Sequence, residues 1–276
     1  MKITLTIALL IFSAAINAQR IAVIEPESSK VDGLASVVRA ELGSRFKILD
    51  ESLADAAFSS VTFADYFNLS TSDARQIGEV LGVSNFVLLR SANQRRASLD
   101  RPAYFEAYAI AYLVDSRTGS LVGWFRETVE ASNAKEASEK LIANAAQLAE
   151  RISGSLKANR FSIRRDPTFE EVPPEGSPLA KGLRTPVPYR RLRPEYTDLA
   201  SSYGVRATVD IEVDIDADGT IARTSIERWA GFGLEESVEK AVRSMNWRPA
   251  ERNGKPLPMR ILLRYNFVKV EKDEAP

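Results

Sequence analysis

Two residue types are missing from this chain, because none of its 276 residues is cysteine or histidine. Their absence excludes nucleophile systems that pair serine or cysteine with histidine, and zinc or iron sites built from thiolate or imidazole. It also excludes disulfides and lipid attachment through cysteine. The sequence therefore predicts no catalytic residue, no metal site and no cofactor, and any catalysis would depend on carboxylates, tyrosine or lysine.

The chain also lacks an excess of either charge, with 37 lysine and arginine residues against 37 aspartate and glutamate residues. A balanced charge gives no overall field that would attract nucleic acid or an anionic membrane surface. We therefore expect neither as a partner.

A long hydrophobic run is missing too, although the chain opens with the apolar segment MKITLTIALLIFSAAINAQR. Lys2 supplies a positive start, Ile3 to Ile16 an uncharged stretch, and Ala18 a small residue at the expected cleavage position. This pattern predicts a signal peptide over residues 1–18 and a periplasmic protein. The alternative is an uncleaved anchor in the inner membrane, but the apolar stretch is shorter than the roughly 20 residues that span a bilayer.

Residues 19–158 have the pattern of a mixed α/β domain. A short apolar run at 21–25 predicts a strand, apolar residues at helical spacing from Leu34 to Leu42 predict a helix, and residues 46–49 predict a second strand. A crossover of this kind pairs its two strands in parallel. Farther along, large side chains alternate with Ala107, Ala109 and Ala111, which would let a helix approach the sheet closely. Residues 137–152 predict one long amphipathic helix.

This N-terminal region resembles the TolB N-terminal and CsgG-like periplasmic domains. The segments that carry the resemblance are IAVIEP, RFKILDESLADAAF, ARQIGEVLGVSNFVLLRS and YLVDSRTGSLVGWFRETV. The resemblance implies a mixed sheet with helices and a binding role rather than a catalytic one.

Residues 159–189 carry closely spaced prolines among charged residues and few periodic apolar positions. This composition predicts a Pro-rich linker that acts as a plain spacer.

Residues 190–270 predict a small α+β module of hairpin, helix and strand. Apolar residues alternate with polar ones from Val205 to Asp216, so we expect one buried face and one wet face. A turn at 216–219 returns the chain, residues 234–245 form a helical stripe, and residues 259–267 alternate again. Between the helix and the last strand, Asn253-Gly254 and three prolines predict a chain reversal with positive φ. Residues 271–276 are expected to be a disordered tail.

One acidic stretch, Asp214-x-Asp216-x-Asp218-Gly219, is similar to the start of an EF-hand loop. The twelfth position would be Ser225 rather than glutamate, and the flanks alternate like strands. A solvated hairpin is the favoured interpretation.

The C-terminal module strongly resembles the TonB C-terminal domain, above all in the element RPAERNGKP before its final strand. The resemblance implies that a partner peptide, from an outer-membrane receptor, adds to the final strand by β-strand addition. The residues that would flank such a peptide are Arg260, Leu262, Arg264 and Asn266. Alternatively, that edge is covered by the protein itself or by a second copy.

Together these patterns predict a non-enzymatic periplasmic protein that binds protein partners through its C-terminal domain. The alternative is a TonB-type energy transducer held by an uncleaved N-terminal segment, although the chain lacks the transmembrane histidine of such proteins. A third hypothesis is a carboxylate-dependent envelope hydrolase, for which the sequence offers no paired acids. The sequence leaves open the partner, the oligomeric state and any ligand of the N-terminal domain.

Overall fold

The computed structural model describes residues 19–26, 31–98, 101–158 and 166–268. The predicted signal peptide and the predicted disordered tail lie outside these residues. Within them, no helix combines the length and the apolar character needed to cross a bilayer.

The N-terminal part is a five-stranded mixed sheet covered by helices. Its strands are β1 (Arg20–Ile24), β2 (Lys47–Ile48), β3 (Asn85–Ser98), β4 (Arg101–Asp115) and β5 (Leu121–Ala131). Its helices are α1 (Leu34–Gly43), α2 (Glu51–Phe58), α3 (Thr71–Leu81), α4 (Ala134–Ala143) and α5 (Ala145–Ala158). The strand order is β2-β1-β3-β4-β5, with β1 parallel to β2 and β3 and the last three strands antiparallel. The predicted parallel β-α-β opening is therefore confirmed.

The alanine face predicted for β4 is confirmed as the surface on which helices pack. Ala107, Ala109 and Ala111 are fully buried in a cluster that includes Ala137 and Leu141 of α4. The prediction of a single long helix over residues 137–152 is wrong, because the helix is interrupted at Asn144, between α4 and α5. Asn144 is the C-cap residue of α4, and its side chain donates a hydrogen bond to Glu127 of β5.

The C-terminal part is built on a second sheet. Its elements are β6 (Glu170–Glu171), a 3₁₀ turn (Pro178–Ala180), β7 (Leu183–Arg184), β8 (Val187–Pro188), α6 (Asp198–Ser202), β9 (Ala207–Ile215), β10 (Ile221–Arg228), α7 (Leu234–Arg243), β11 (Trp247–Arg248), β12 (Ala250–Arg252), β13 (Lys255–Leu257) and β14 (Met259–Phe267). The main sheet has the order β10-β9-β14-β6. The predicted order of hairpin, helix and strand, and the mixed α+β class, are confirmed.

The prediction of a plain spacer is wrong over residues 166–189, because this segment contains short strands. β6 pairs with β14, β7 pairs with β12, and β8 pairs with β11, so this segment adds strands to the C-terminal fold. Strands of two residues are too short to show a periodic pattern, so they cannot be predicted from the sequence. The domain boundaries themselves stay a prediction.

The chain reversal before the last strand has the predicted backbone conformation. Asn253 and Gly254 both have positive φ, at 53° and 79°, and they join β12 to β13 in a tight hairpin. Two successive residues with positive φ are typical of the type I′ turn that Asn-Gly favours. The segment is thus a small hairpin rather than a simple connection.

The two parts share one hydrophobic core. The rings of Phe67 and Trp229 both pack near the Tyr112 ring, with centroid distances of 5.5 and 5.6 Å to it. Tyr112 and Trp229 are almost fully buried. Because aromatic residues from both parts form one cluster, the N-terminal and C-terminal sheets are held in a fixed relation by apolar packing.

Candidate protein-binding edge

The final strand, β14, has one fully paired side and one largely open side. On the paired side it meets β9 in antiparallel register from Met259 to Phe267. On the other side β6 pairs in parallel with Met259 and Arg260 only. Along residues 261–267 this outer edge meets no further strand from the described part of the chain.

The direction of the backbone groups on this edge follows from one hydrogen bond. The Arg191 guanidinium donates to the carbonyl oxygen of Arg264 at 3.2 Å, so that carbonyl points away from β9. Alternate residues of a strand direct their N–H and C=O groups to the same side. Leu262 and Asn266 therefore also point their backbone groups outward.

Three of the four predicted flanking residues are accessible. Leu262 is 58% exposed, which is unusual for a leucine on a strand. Arg264 is exposed at its side chain while it binds both carboxylate oxygens of Asp210 at 2.7 and 2.9 Å. Asn266 is exposed and accepts a hydrogen bond from the Thr208 hydroxyl at 2.8 Å.

The fourth predicted residue, Arg260, is not available to a peptide through its side chain. It is only 6% exposed, and its guanidinium binds Asp214 at 2.6 and 3.0 Å and Glu212 at 3.2 Å. It also donates to the backbone carbonyl of Asp166. A guanidinium bound by two carboxylates of the same sheet stabilises that sheet and is not free to contact a partner.

The polar face of this sheet is buried, so the wet face predicted from the alternation is wrong. Asp210, Glu212 and Asp214 of β9 are 4%, 6% and 1% exposed. Arginines from both neighbouring strands cover them, with Arg260 and Arg264 on β14 and Arg223 and Arg228 on β10. The central strand supplies the anions and its neighbours supply matching cations, so the face can be buried without an unpaired charge.

The ionisation of Asp214 reflects this pairing. Burial disfavours the charged carboxylate, but hydrogen bonds from Arg260 and Arg223 outweigh it and lower the pKa of Asp214 below its ordinary value of 3.8. The same two guanidinium groups bind the oxygens of Asp214, which would be the first calcium ligand of an EF-hand loop. Asp218 instead accepts from the amide and hydroxyl of Thr220, as in a simple turn. No group of acidic residues arranged to hold a metal ion occurs in the residues that the structure describes.

The opposite edge of the sheet, β10, is attached to the N-terminal part. Ser70 forms an antiparallel bridge with Arg228, and the Trp229 amide donates to the carbonyl oxygen of Leu69 at 3.2 Å. The half-buried Asn68 side chain donates to the carbonyl oxygens of Thr208 and Trp229 at 2.7 and 2.8 Å and accepts from the Thr208 amide at 2.9 Å. Sequence reasoning missed this role, because an asparagine in a polar loop has no periodic signal.

A polar cluster adds further contacts between the N-terminal and C-terminal parts. The Tyr203 hydroxyl donates to Glu106 at 2.5 Å, and Arg126 donates to that hydroxyl at 3.1 Å. Arg96 binds Glu106 at 2.6 Å and lies over the Tyr203 ring. Burial raises the pKa of Tyr203 to about 12, and the bond to Glu106 adds to the effect. Tyr203 therefore remains a neutral hydrogen-bond donor at physiological pH.

Residues 193–268 match the family described as Gram-negative bacterial TonB protein C-terminal. This part of the chain is similar to TonB C-terminal domains. The resemblance predicted from RPAERNGKP is therefore confirmed, and we refer to residues 193–268 as the TonB-like domain. The match gives the protein a cell-envelope context. None of the curated protein sequences compared with the chain matches it.

Solved structures of other proteins are similar to this chain over part of its length. The TonB C-terminal domain of Pseudomonas aeruginosa is 22% identical with a TM-score of 0.27, over 32% of this chain and 90% of that one. A lipoprotein of Neisseria meningitidis is 15% identical with a TM-score of 0.35, over 49% of this chain and 99% of that one. TolB of Acinetobacter baumannii is 20% identical with a TM-score of 0.29, over 48% of this chain and 28% of that one.

Proposed function

We propose that the protein is a non-enzymatic periplasmic component of the cell envelope that binds a protein partner by strand addition to the outer edge of β14. The partner is an extended peptide segment, and an outer-membrane receptor is the source that the TonB-like domain favours. Export would remove residues 1–18, so that the mature protein begins at Gln19.

The open edge between Ile261 and Phe267 is the observation that carries this proposal. The backbone groups of Leu262 and Asn266 point outward, and such groups are the ones that an added strand pairs with. Leu262 presents an exposed apolar side chain beside them, and Arg264 presents an exposed cation. A partner strand would therefore gain main-chain hydrogen bonds from the edge and side-chain contacts from these two residues.

The absence of cysteine provides a direct test, because a single introduced cysteine is unique in the chain. Asn266→Cys would carry a benzophenone photocrosslinker at the open edge. Leu53→Cys, at another exposed position, on α2, is the matched control. In a Gram-negative envelope we expect an adduct from residue 266 and none of the same mass from residue 53.

A proline substitution shows whether the adduct depends on the edge itself. Leu262→Pro removes an outward amide and no bond to β9, so the fold should be kept while strand addition is blocked. Val268→Pro, just beyond β14, is its control. If the adduct persists in Leu262→Pro, or if residues 266 and 53 give the same adduct, strand addition at β14 is wrong.

The mass of the protein recovered from the envelope tests the proposed export. A chain that begins at Gln19 and is released without detergent supports a free periplasmic protein. Retention of Met1 together with inner-membrane fractionation would contradict the proposed cleavage and favour an anchored protein.

A further inference from the structure

A cleft of about 740 Å³ lies between the two sheets, away from the β14 edge. One wall is the start of β5, and the other is β10 together with the N-terminal half of α7. Its volume is within the range of roughly 300–1,000 Å³ that is usual for ligand sites. The cleft is therefore large enough for several side chains of a bound molecule.

Both strands that line the cleft are edge strands. β5 is the last strand of the N-terminal sheet and β10 is the last strand of the C-terminal sheet. In the described residues, β10 is bridged on its outer side only at Arg228, so Thr224 to Ile226 face the cleft without a strand partner. Two unpaired edges on facing walls favour an extended chain as occupant rather than a compact ligand.

Aromatic residues form the apolar part of the cleft. Trp124 of β5 lies against Phe232, with ring centroids 4.9 Å apart, and both rings line the space. Gly231 packs so closely on the Trp124 indole that an added Cβ atom would lie 2.4 Å from it. The indole is therefore held in one position, and an aromatic face of this kind also attracts cations.

The charge of the cleft is negative. Glu235, Glu236 and Glu239 line it from α7, and the one guanidinium in its wall, that of Arg223, is already bound to Glu212 and Asp214. Glu239 is paired with Arg243. The Glu235 carboxylate accepts hydrogen bonds from the amides of Ala230 and Gly231. Glu236 is exposed and forms no ion pair with any of the described residues, so it is the uncompensated carboxylate of the cleft.

We propose that the cleft between β5 and β10 binds an extended basic peptide segment, with a lysine or arginine side chain between Trp124 and Glu236. This site is separate from the β14 edge and does not depend on the function proposed for that edge. The two can be tested independently, because Leu262→Pro leaves the cleft unchanged.

The test is calorimetric titration of the full chain with three peptides at physiological salt. They are acetyl-Thr-Lys-Thr-Lys-Thr-amide and the same sequence with glutamine or with glutamate in place of lysine. We expect the lysine peptide to bind at least about tenfold more tightly than the other two, because only it supplies cations to the cleft. Lysine amide alone should bind more weakly than the peptide, since it offers no strand to the edges.

Charge reversal locates the site. Glu236 is exposed and forms no ion pair with the described residues, so the Glu236→Lys variant should fold normally. We expect it to bind the lysine peptide about tenfold or more weakly. Glu175→Lys, an exposed site outside the cleft, makes the same change in net charge and should leave binding within about twofold. Equal losses in both variants, equal binding of the glutamine peptide, or no binding of the lysine peptide would each overturn the proposal.

Discussion

The two sides of the TonB-like sheet differ in what covers them. At β10, residues 68–70 of the N-terminal part add a short antiparallel bridge, and Asn68 ties two backbone segments together. At β14, among the residues that the structure describes, β6 pairs with the first two residues and Arg191 binds one outward carbonyl. The C-terminal end of one edge is thus used to join the two parts of the molecule, while the other edge is left largely open.

Because its two edges are covered differently, one sheet can serve two purposes. An unpaired strand edge is a template for any extended chain, so proteins cover the edges that they do not use. Here the junction with the N-terminal part orients the sheet, and the shared aromatic core fixes that orientation. The open length of β14 can then receive a partner in a defined direction.

The largest expected effect comes from removing the core of the junction. Trp229→Ala should lower the free energy of unfolding by about 3–5 kcal/mol, because it empties a fully buried site between Tyr112 and Gly119. Urea unfolding measures this loss. Leu179→Ala, at an exposed site, is the control and should be nearly neutral. A loss below about 1 kcal/mol would mean that the two parts are not joined through Trp229.

The buried ionic face should respond next most strongly. Asp214→Asn removes one of the two carboxylates that Arg260 and Arg223 share, the other being that of Glu212, and should cost about 3 kcal/mol at neutral pH. Because the folded-state pKa of Asp214 is lowered, its contribution is complete above 3.8 and is lost as the pH falls through the folded-state value. The difference between the wild-type protein and the variant should therefore shrink in acid. A difference that is constant with pH would contradict this assignment.

A smaller loss is expected from the polar part of the junction. Asn68→Ala removes three hydrogen bonds to the backbone of Thr208 and Trp229, and it should cost about 1–3 kcal/mol in thermal or urea unfolding. Asn266→Ala removes one exposed bond and serves as the comparison. If both variants lose the same stability, Asn68 does not hold the junction.

The smallest effect on stability should come from the open edge. Arg191→Ala frees the Arg264 carbonyl and removes a cation–π contact with the Tyr265 ring, so it should lower stability by about 1 kcal/mol or less. It should also tighten partner binding about two- to threefold, because a strand added at β14 no longer competes with the guanidinium. Arg190→Ala, at the exposed neighbouring residue, should do neither. Weaker binding in Arg191→Ala would mean that Arg191 contacts the partner instead.

Local patterns in the sequence predicted much of this fold. The alternation in β9 and β14, the stripe of α7 and the Asn253-Gly254 turn all depend on residues close together in the chain, and the structure has them as expected. The alanine face of β4 likewise predicted close helix packing. Such features follow from periodicity and from backbone preferences, which any single sequence displays.

The features that were missed depend on contacts between distant residues. The alternation of β9 indicated an outward polar face, but it could not show that Arg223 and Arg260 would cover Asp214. Of the predicted edge residues, Arg260 is therefore buried while Leu262 is exposed. The pairing of β6 with β14 and the bonds of Asn68 are also long-range, and they arise only once the two sheets are in place.

Amide hydrogen exchange along β14 and β10 would test the central claim most directly. The full chain would be measured alone and with the partner recovered through the crosslink at residue 266, following the amides of Leu262, Asn266 and Ser225. Strand addition at β14 predicts slower exchange at Leu262 and Asn266 and no change at Ser225. Unchanged exchange at Leu262 and Asn266 in the complex, or protection at Ser225 alone, would contradict it.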